Sequence, residues 1–393
     1  MIAATINPEE AARRTWDVVV VGAGPAGALA AHELARRGCA VLLVDRAAFP
    51  RWKVCGCCLN GHALATLQAA GLGQVVSSNG AVPLEGIRLA TAGGTACLPL
   101  SGGVSLSRET FDAALVAAAI AAGAAFLPRT QVSLDRGSCY EVRRVELRQD
   151  TRIERGAARV VVAADGLGGK LAMRAGVRDV ATAARARIGA GVVAAAGPAF
   201  YAPGTIYMAC GRYGYLGLVR LEDGRLDLAA AFDPYWVRDC GGPGRAAGEL
   251  LAEANWPSVP RLTELGWRGT PALTRRARRV AAERLFLIGD AAGYVEPFTG
   301  EGMAWALASA RAVAPLAARA AECWHPVYVR QWSESYRRLI GRRQLVCRLI
   351  AAALRAPRLT RTLVRLLACA PALAAPVVRY LGERKTYTTP RGD

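Results

Sequence analysis

The chain has 393 residues, 53% of them hydrophobic, which is enough for two interleaved domains or one large domain with additions, and for an enclosed cavity. Its 50 basic residues outnumber 31 acidic ones to give a net charge of +19, yet Lys53, Lys170 and Lys385 are its only lysines. A basic surface attracts nucleic acid, anionic lipid or acidic substrates, and the lack of any zinc-finger or RNA-recognition signature argues against the first.

Eleven cysteines are scattered without the dense spacing of a secreted disulfide scaffold, and the N-terminus MIAATINPEEAARR has no apolar stretch of signal-peptide type. The expectation is a cytoplasmic protein with reduced thiols. Ala113 to Leu127 is alanine-rich and shorter than a bilayer requires, and Leu363 to Val378 is broken by Arg365 and two prolines.

Asp17 to Asp45 reads as strand, glycine turn, helix and strand. Val18 to Val21 form a β-branched run, as in a parallel strand buried on both faces, and Gly22-Ala-Gly24-Pro-Ala-Gly27 follows at once. In that context the GxGxxG spacing has a physical meaning: Gly22 makes the turn, Gly24 lets a pyrophosphate approach the backbone, and Gly27 lets the helix lie against the strand. Pro25 suits the first helical turn. The helix N-terminus offers free N–H groups to a diphosphate, and Asp45, ending the second strand, suits a ribose.

A loop with no regular period follows, Arg46-Ala-Ala-Phe-Pro-Arg-Trp-Lys-Val-Cys55-Gly-Cys57-Cys58, leading to a helix near Ala63 to Ala70. Its cysteines and His62 lack the second CxxC or HxxxH that a tetrahedral metal site needs, so a packed loop whose Gly56 approaches something flat is expected. Gly86 to Ala90 and Thr95 to Leu100 read as a hairpin, and Ser107 as the N-cap of a helix to about Ala122. A meander is expected over Thr130 to Leu134, Tyr140 to Leu147 and Thr151 to Glu154. A separate buried strand, Arg159 to Ala164, then runs into Asp165-Gly166. From about Ala181 to Arg275 the pattern alternates, with strands at Ala186 to Ala194, Thr205 to Ala209, Tyr215 to Leu221 and Leu226 to Phe232. A third buried strand, Leu285 to Ile288, meets Gly289-Asp290, and Pro297-Phe-Thr-Gly300-Glu301-Gly302-Met303 opens an alanine-rich helix. Beyond His325 the chain reads as helical and basic, with Arg337, Arg338, Arg342, Arg343, Arg348, Arg355, Arg358, Arg361 and Arg365 among leucines.

Three buried strands, each ending in a Gly/Asp turn, make a joint signal. With GAGPAG and Asp45, Asp165-Gly166, and Gly289-Asp290, residues 15 to 320 resemble the flavoprotein superfamily that includes p-hydroxybenzoate hydroxylase, geranylgeranyl reductases and flavin-dependent halogenases. The resemblance implies an α/β fold: a discontinuous Rossmann-like FAD-binding domain of glutathione-reductase type (15–75, 101–180 and 280–320), an inserted antiparallel-sheet substrate domain (76–100 and 181–279) and a helical basic C-terminal region (321–393). It implies FAD contacts from Gly22, Gly24, Pro25, Ala26, Gly27, Asp45, Arg46, Cys55, Gly56, Arg108, Val132, Asp165, Gly289, Asp290, Gly300, Gly302 and Met303. Asp290 suits a ribityl hydroxyl, the helix opened by Gly300 and Gly302 suits the flavin edge that gains negative charge, and Arg108 suits a diphosphate. As read from the residues alone, the lesser alternatives are a solvated residue of a first helical turn for Arg108 and a plain helix N-cap for Asp290.

Phe49-Pro-Arg-Trp-Lys-Val-Cys55-Gly56 followed by Leu59 resembles the FPRxKxCGGGL loop of geranylgeranyl-reductase-like proteins, with Cys57 and Cys58 in place of glycines. Cys55 either takes part in the chemistry or packs against the flavin. The substrate-domain aromatics depart from both reductase and halogenase patterns, leaving Tyr213-Gly-Tyr215-Leu-Gly-Leu-Val-Arg220 as substrate-side candidates or core residues. The leading expectation is an FAD-dependent reductase of carbon–carbon double bonds in a small apolar isoprenoid or polyketide-type substrate. The alternatives are an aromatic monooxygenase, a halogenase, and a non-catalytic binding or escort module. No second dinucleotide turn is present, so NAD(P)H binding transiently, or a reductase partner, would supply electrons. The basic C-terminal helices present either a peripheral membrane contact or a solvated face over a buried one.

Overall fold

A computed structural model of the chain describes residues 1–100, 102–135, 141–171, 180–296, 298 and 300–376. Tyr140, Pro297, Thr299 and the tail 377–393 lie outside the described residues.

Valine-rich Thr15–Val21 is the centre of the first sheet, whose order is Ala281–Ala282, Leu285–Leu287, Arg152–Ala163, Thr15–Val21, Val41–Val44 and Ala125–Leu127. The last five strands run parallel, with Val18 opposite Val160 on one side and Val41 on the other. Val18, Val19 and Val20 have no exposed surface, as a strand covered on both faces requires. Helix Pro25–Ala35 lies against helix Glu301–Glu322, so the start and the end of this unit pack together.

The separate strands expected at Thr151 to Glu154 and Arg159 to Ala164 are one strand, Arg152–Ala163. Its first half pairs antiparallel with Arg143–Gln149, and its second half pairs parallel with the central strand. Gly156, at the junction, is a packing glycine rather than a turn: a Cβ there would lie 3.3 Å from the Ala12 backbone.

The second sheet has seven strands in the order Arg268–Ala272, Ile188–Ala194, Leu226–Phe232, Gly214–Arg220, Thr205–Gly211, Gly86–Thr91 and Gly94–Pro99. Period-two alternation gives it two apolar faces. Leu216, Leu218, Leu228 and Phe232 pack beneath helix Pro243–Glu253, while Leu89, Met208, Tyr215 and Ala231 face the other way. The two sheets are clamped by Glu222, in the turn after Gly214–Arg220. Its carboxylate accepts hydrogen bonds from Ser107 N (2.9 Å), Ser107 Oγ (2.6 Å) and Thr110 Oγ1 (2.7 Å), at the N-terminus of helix Arg108–Ala121, where negative charge is favoured.

The C-terminal helices are built into the fold. Within Val327–Ala353, Arg343 is buried and pairs with Glu301 at 3.0 Å, and Glu301 also accepts from Trp305 Nε1 (2.9 Å) and Asn60 Nδ2 (3.0 Å). Helix Pro357–Cys369 packs its Val364 with Leu89, Ala96 and Tyr215, over the second face of the seven-stranded sheet. Among the described residues no helix is long and apolar enough to cross a membrane.

Candidate functional site

Between the two sheets lies a cavity of about 990 Å³ that runs from the glycine turn to the C-terminal helices. At its deep end the turn is sterically specified. Gly22 has φ +101°, and a Cβ on Gly27 would sit 1.7 Å from the Gly22 carbonyl oxygen, so neither position accepts a side chain. Gly24 differs: it lines the cavity, and a Cβ there would point at the guanidinium termini of Arg51 (3.5 Å) and Arg108 (3.7 Å). Two guanidinium groups thus face the free N–H groups of a helix start, a combination that binds phosphate.

Arg108 is buried, not solvated. Its Nε and Nη2 donate to Asp112 Oδ1 (2.8 Å) and Oδ2 (2.7 Å), and Arg51 lies 3.4 Å from the same carboxylate. Lys53 also lines this end, its pKa lowered first by burial and then by Arg108. Arg51 and Lys53 are the site residues that sequence reasoning missed. Their alternate positions in Phe49-Pro-Arg51-Trp-Lys53 were the available signal.

Gly289, φ +56°, brings the third strand end against the first turn, since its Cβ would lie 2.9 Å from Ala26 Cβ. Asp290 then lines the cavity, its carboxyl raised by burial and pulled back by Lys53 and Arg108, so it is not a plain N-cap. Asp165 lines it too, with Oδ2 accepting from Leu171 N at 3.0 Å. Gly300, Gly302 and Met303 complete this wall, and Gly302 makes room for the Tyr294 ring, 3.1 Å from where a Cβ would stand.

Two cofactor expectations and one substrate expectation meet a different geometry. Asp45 does not line the cavity; its carboxylate accepts from Ala23 N (2.7 Å) and Ala47 N (2.8 Å), pinning the glycine turn instead. Val132 is a core residue of strand Gln131–Leu134 and is likewise absent from the lining. Tyr213 is 41% exposed and stacks on Trp236, because Arg212 and Tyr213 form the hairpin turn between Gly211 and Gly214 and lose the strand's alternation. Tyr215, one residue into that strand, is buried, lines the cavity and meets Phe298 edge-on at 5.1 Å.

The loop from Cys55 to Cys58 crosses the cavity between its two ends. Cys57 adopts the left-handed conformation, φ +51°, that a glycine would take without strain, so the loop keeps its path at a cost of about 1 kcal/mol. Cys55 and Gly56 line the cavity. A hydrogen bond from Cys57, together with the Arg108 guanidinium, holds the Cys55 thiol below the usual thiol range against the opposing effect of burial.

Residues 15–206 match the FAD binding domain family. The chain carries an FAD-binding domain. It is 29% identical over 337 residues to a menaquinone reductase of Mycobacterium tuberculosis, covering 76% of each chain. It is 28% identical over 324 residues to digeranylgeranylglycerophospholipid reductase 2 of Methanopyrus kandleri, covering 78% of each. Its fold is that of a geranylgeranyl bacteriochlorophyll reductase-like protein of Thermoplasma acidophilum, with a TM-score of 0.75, 21% identity and coverage of 93% of this chain and 98% of that one. A flavin-dependent brominase has the same fold, with a TM-score of 0.74, 18% identity and coverage of 94% of each chain.

The residues present fit FAD. The bare Gly24 cradle with Arg51 and Arg108 suits the diphosphate, Asp290 suits the ribityl chain, and the wall of Gly300, Gly302 and Met303 suits the ring edge. When bound, FAD supplies reversible two-electron and hydride chemistry. The chain itself sets a polarised thiol, Cys55, in the wall of the same cavity.

Proposed function

We propose that this protein is an FAD-dependent reductase that saturates a carbon–carbon double bond in an apolar isoprenoid-type lipid. One observation carries the reading: the cofactor end of the cavity is continuous with an apolar end lined by Ile87, Leu89, Leu98, Leu363 and Leu367. A long hydrocarbon ligand would therefore lie with one part at the flavin and the rest beneath the C-terminal helices. The similarity to two lipid-acting reductases supports the same class. Electrons would come from NAD(P)H visiting transiently or from a reductase partner. The test is anaerobic: after reduction, the flavin should be rapidly reoxidised by an isoprenoid or enone, with the saturated product recovered. Reoxidation that requires oxygen and yields a hydroxylated product would replace this reading with the monooxygenase.

The substrate would enter from a membrane surface. On helix Pro357–Cys369 the exposed leucines Leu359, Leu363 and Leu366 share one face, at i, i+4 and i+7, and Leu373 beyond it is 62% exposed. Leu363, Leu366 and Leu373 also line the cavity mouth. Residues 335–376 contain nine arginines and no acidic residue, and Arg348, Arg358, Arg361 and Arg365 are exposed. Apolar side chains ringed by unopposed positive charge suit an anionic bilayer.

A further inference from the structure

We propose that Cys55 and Cys57 form a reversible dithiol–disulfide site in the cavity wall, in which Cys55 meets a peroxide and Cys57 closes the bond onto it. The inference stands beside the reductase reading and does not use its substrate.

The two thiols are brought together by the loop's own geometry. Gly56, the most permissive of linkers, separates them, and residues two apart have Cα atoms at most roughly 7 Å apart, close to the span a disulfide bridges. Cys57 Sγ lies 3.7 Å from the Cys55 carbonyl oxygen, and the Cys57 S–H donates to the Cys55 sulfur. The loop is held beside this pair as well. A Cβ on Gly191 would stand 2.9 Å from Val54 Cγ1, and one on Gly56 would meet Ala229 at 4.0 Å, so the seven-stranded sheet supports the loop directly.

Their surroundings divide the roles. Cys55 is half-buried and lines the cavity, so a small molecule that enters meets it. The hydrogen bond from Cys57, and then the Arg108 guanidinium, lower its pKa to about 6 against the effect of burial, which leaves a thiolate at neutral pH. Cys57 is 2% exposed, and its hydrogen bond to Cys55, burial and the neighbouring buried Asp227 raise its pKa well above the thiol range. Cys58 is set apart: its Sγ turns back to the Gly56 carbonyl oxygen at 2.9 Å, and burial raises its pKa too. One thiol is thus a nucleophile facing the cavity, and its neighbour keeps the proton that a leaving hydroxide needs.

Neither metal binding nor packing accounts for the pair. Among the described residues no three His, Cys, Asp or Glu side chains are grouped to hold a metal ion. Packing would be served better by glycine at position 57, where φ is +51° and any side chain is strained.

The chemistry closes on these two residues and one co-reactant, hydrogen peroxide. The Cys55 thiolate attacks one peroxide oxygen, the O–O bond breaks, hydroxide leaves and is protonated to water, and Cys55 becomes a sulfenic acid. The Cys57 sulfur then attacks the Cys55 sulfur. The S–O bond breaks, the hydroxyl leaves with the Cys57 proton as a second water, and the disulfide forms. The thiol pair gives up two electrons and the peroxide takes them; an external dithiol, itself oxidised to a disulfide, reverses the change.

The test uses the full chain loaded with oxidised FAD and treated with a small excess of hydrogen peroxide. Free thiols are then blocked with N-ethylmaleimide in denaturant, and the tryptic peptide Val54–Arg88, which holds all three loop cysteines, is sequenced by mass spectrometry. It should carry a Cys55–Cys57 disulfide and one blocked thiol, Cys58, and dithiothreitol added before blocking should restore all three thiols. Cys55 should be consumed roughly tenfold faster than the exposed Cys97, Cys323 and Cys369, as its thiolate character implies. Cys57→Gly, which suits the left-handed backbone, should keep its flavin and trap Cys55 as a sulfenic acid that dimedone labels. A bridge that includes Cys58, a Cys55 sulfenic acid that persists in wild type, or oxidation of Cys55 at the rate of the exposed cysteines would overturn the proposal. No arm contains a reducible isoprenoid, and the anaerobic test of the reductase contains no peroxide, so either reading can fail without the other.

Discussion

Arg108 grips Asp112 one helical turn further along its own helix, through two hydrogen bonds of 2.8 and 2.7 Å, and both side chains are buried. The pair sets the position of the guanidinium that faces Gly24 and Cys55. Removing the carboxylate leaves Arg108 as a buried positive charge without its partner and takes one of two neighbouring carboxylates from the less buried Arg51. Asp112→Ala should therefore cost about 3–5 kcal/mol in denaturant unfolding and weaken FAD retention as well. A loss under about 1 kcal/mol, the range of exposed pairs, would mean that the fork contributes geometry without energy.

The same guanidinium predicts a pH dependence for Cys55. Hydrogen bonding from Cys57 and the charge of Arg108 favour the thiolate, so on raising the pH it should appear before that of an ordinary cysteine. Alkylation by iodoacetamide, followed site by site with mass spectrometry, should show a midpoint below about 8.5, the ordinary thiol pKa. Arg108→Met removes charge that stabilises the anion, which raises the pKa and moves the midpoint to higher pH. An unchanged midpoint in that variant would show that Arg108 does not act on the thiol.

What could be read from the sequence was whatever is local. Val18 to Val21, the glycine spacing, Ser107 as a cap and the Gly289-Asp290 turn announce themselves because one strand end and one helix start generate each of them. Asp227 could not be read this way. In Leu-Asp-Leu-Ala-Ala-Ala-Phe an acid between two leucines looks like the solvent face of a strand, and only the Cys55 loop and the C-terminal helices, distant in sequence, turn that face into a cavity wall. Tyr213 failed for the opposite reason. It shares the parity of Tyr215 in the sequence, but the hairpin turn interrupts the period just before the strand begins.

The leucine face of the last helix carries a prediction about vesicles. Leu363→Asp with Leu366→Asp replaces exposed apolar surface with charge of the wrong sign and leaves Val364 and the underlying packing intact. Wild type should sediment with anionic vesicles and much less with neutral ones, and added salt should weaken the binding. The double variant should stay in the supernatant while retaining flavin. Equal sedimentation of both proteins would remove the membrane contact, and concentration-dependent dimerisation lost in the variant would assign the leucines to a second copy of the chain.

Gly24 and Gly27 are three residues apart and should fail differently when given a methyl group. At Gly27 the new Cβ would stand 1.7 Å from the Gly22 carbonyl oxygen and 3.1 Å from Ala164, atoms fixed in the turn and the central sheet, so the backbone itself must move. Gly27→Ala should lose about 2 kcal/mol or more of stability together with its flavin. At Gly24 the backbone is extended, and the methyl meets only guanidinium termini at 3.5 and 3.7 Å, ordinary contact distances. Gly24→Ala should fold with nearly unchanged stability and yet bind FAD at least roughly tenfold more weakly, about 1.4 kcal/mol, because the methyl occupies the place the diphosphate needs. Flavin absorbance and a thermal melt on the same sample separate the two outcomes. Full flavin occupancy in Gly24→Ala would place the diphosphate elsewhere and leave Arg51 and Arg108 without the ligand assigned to them here.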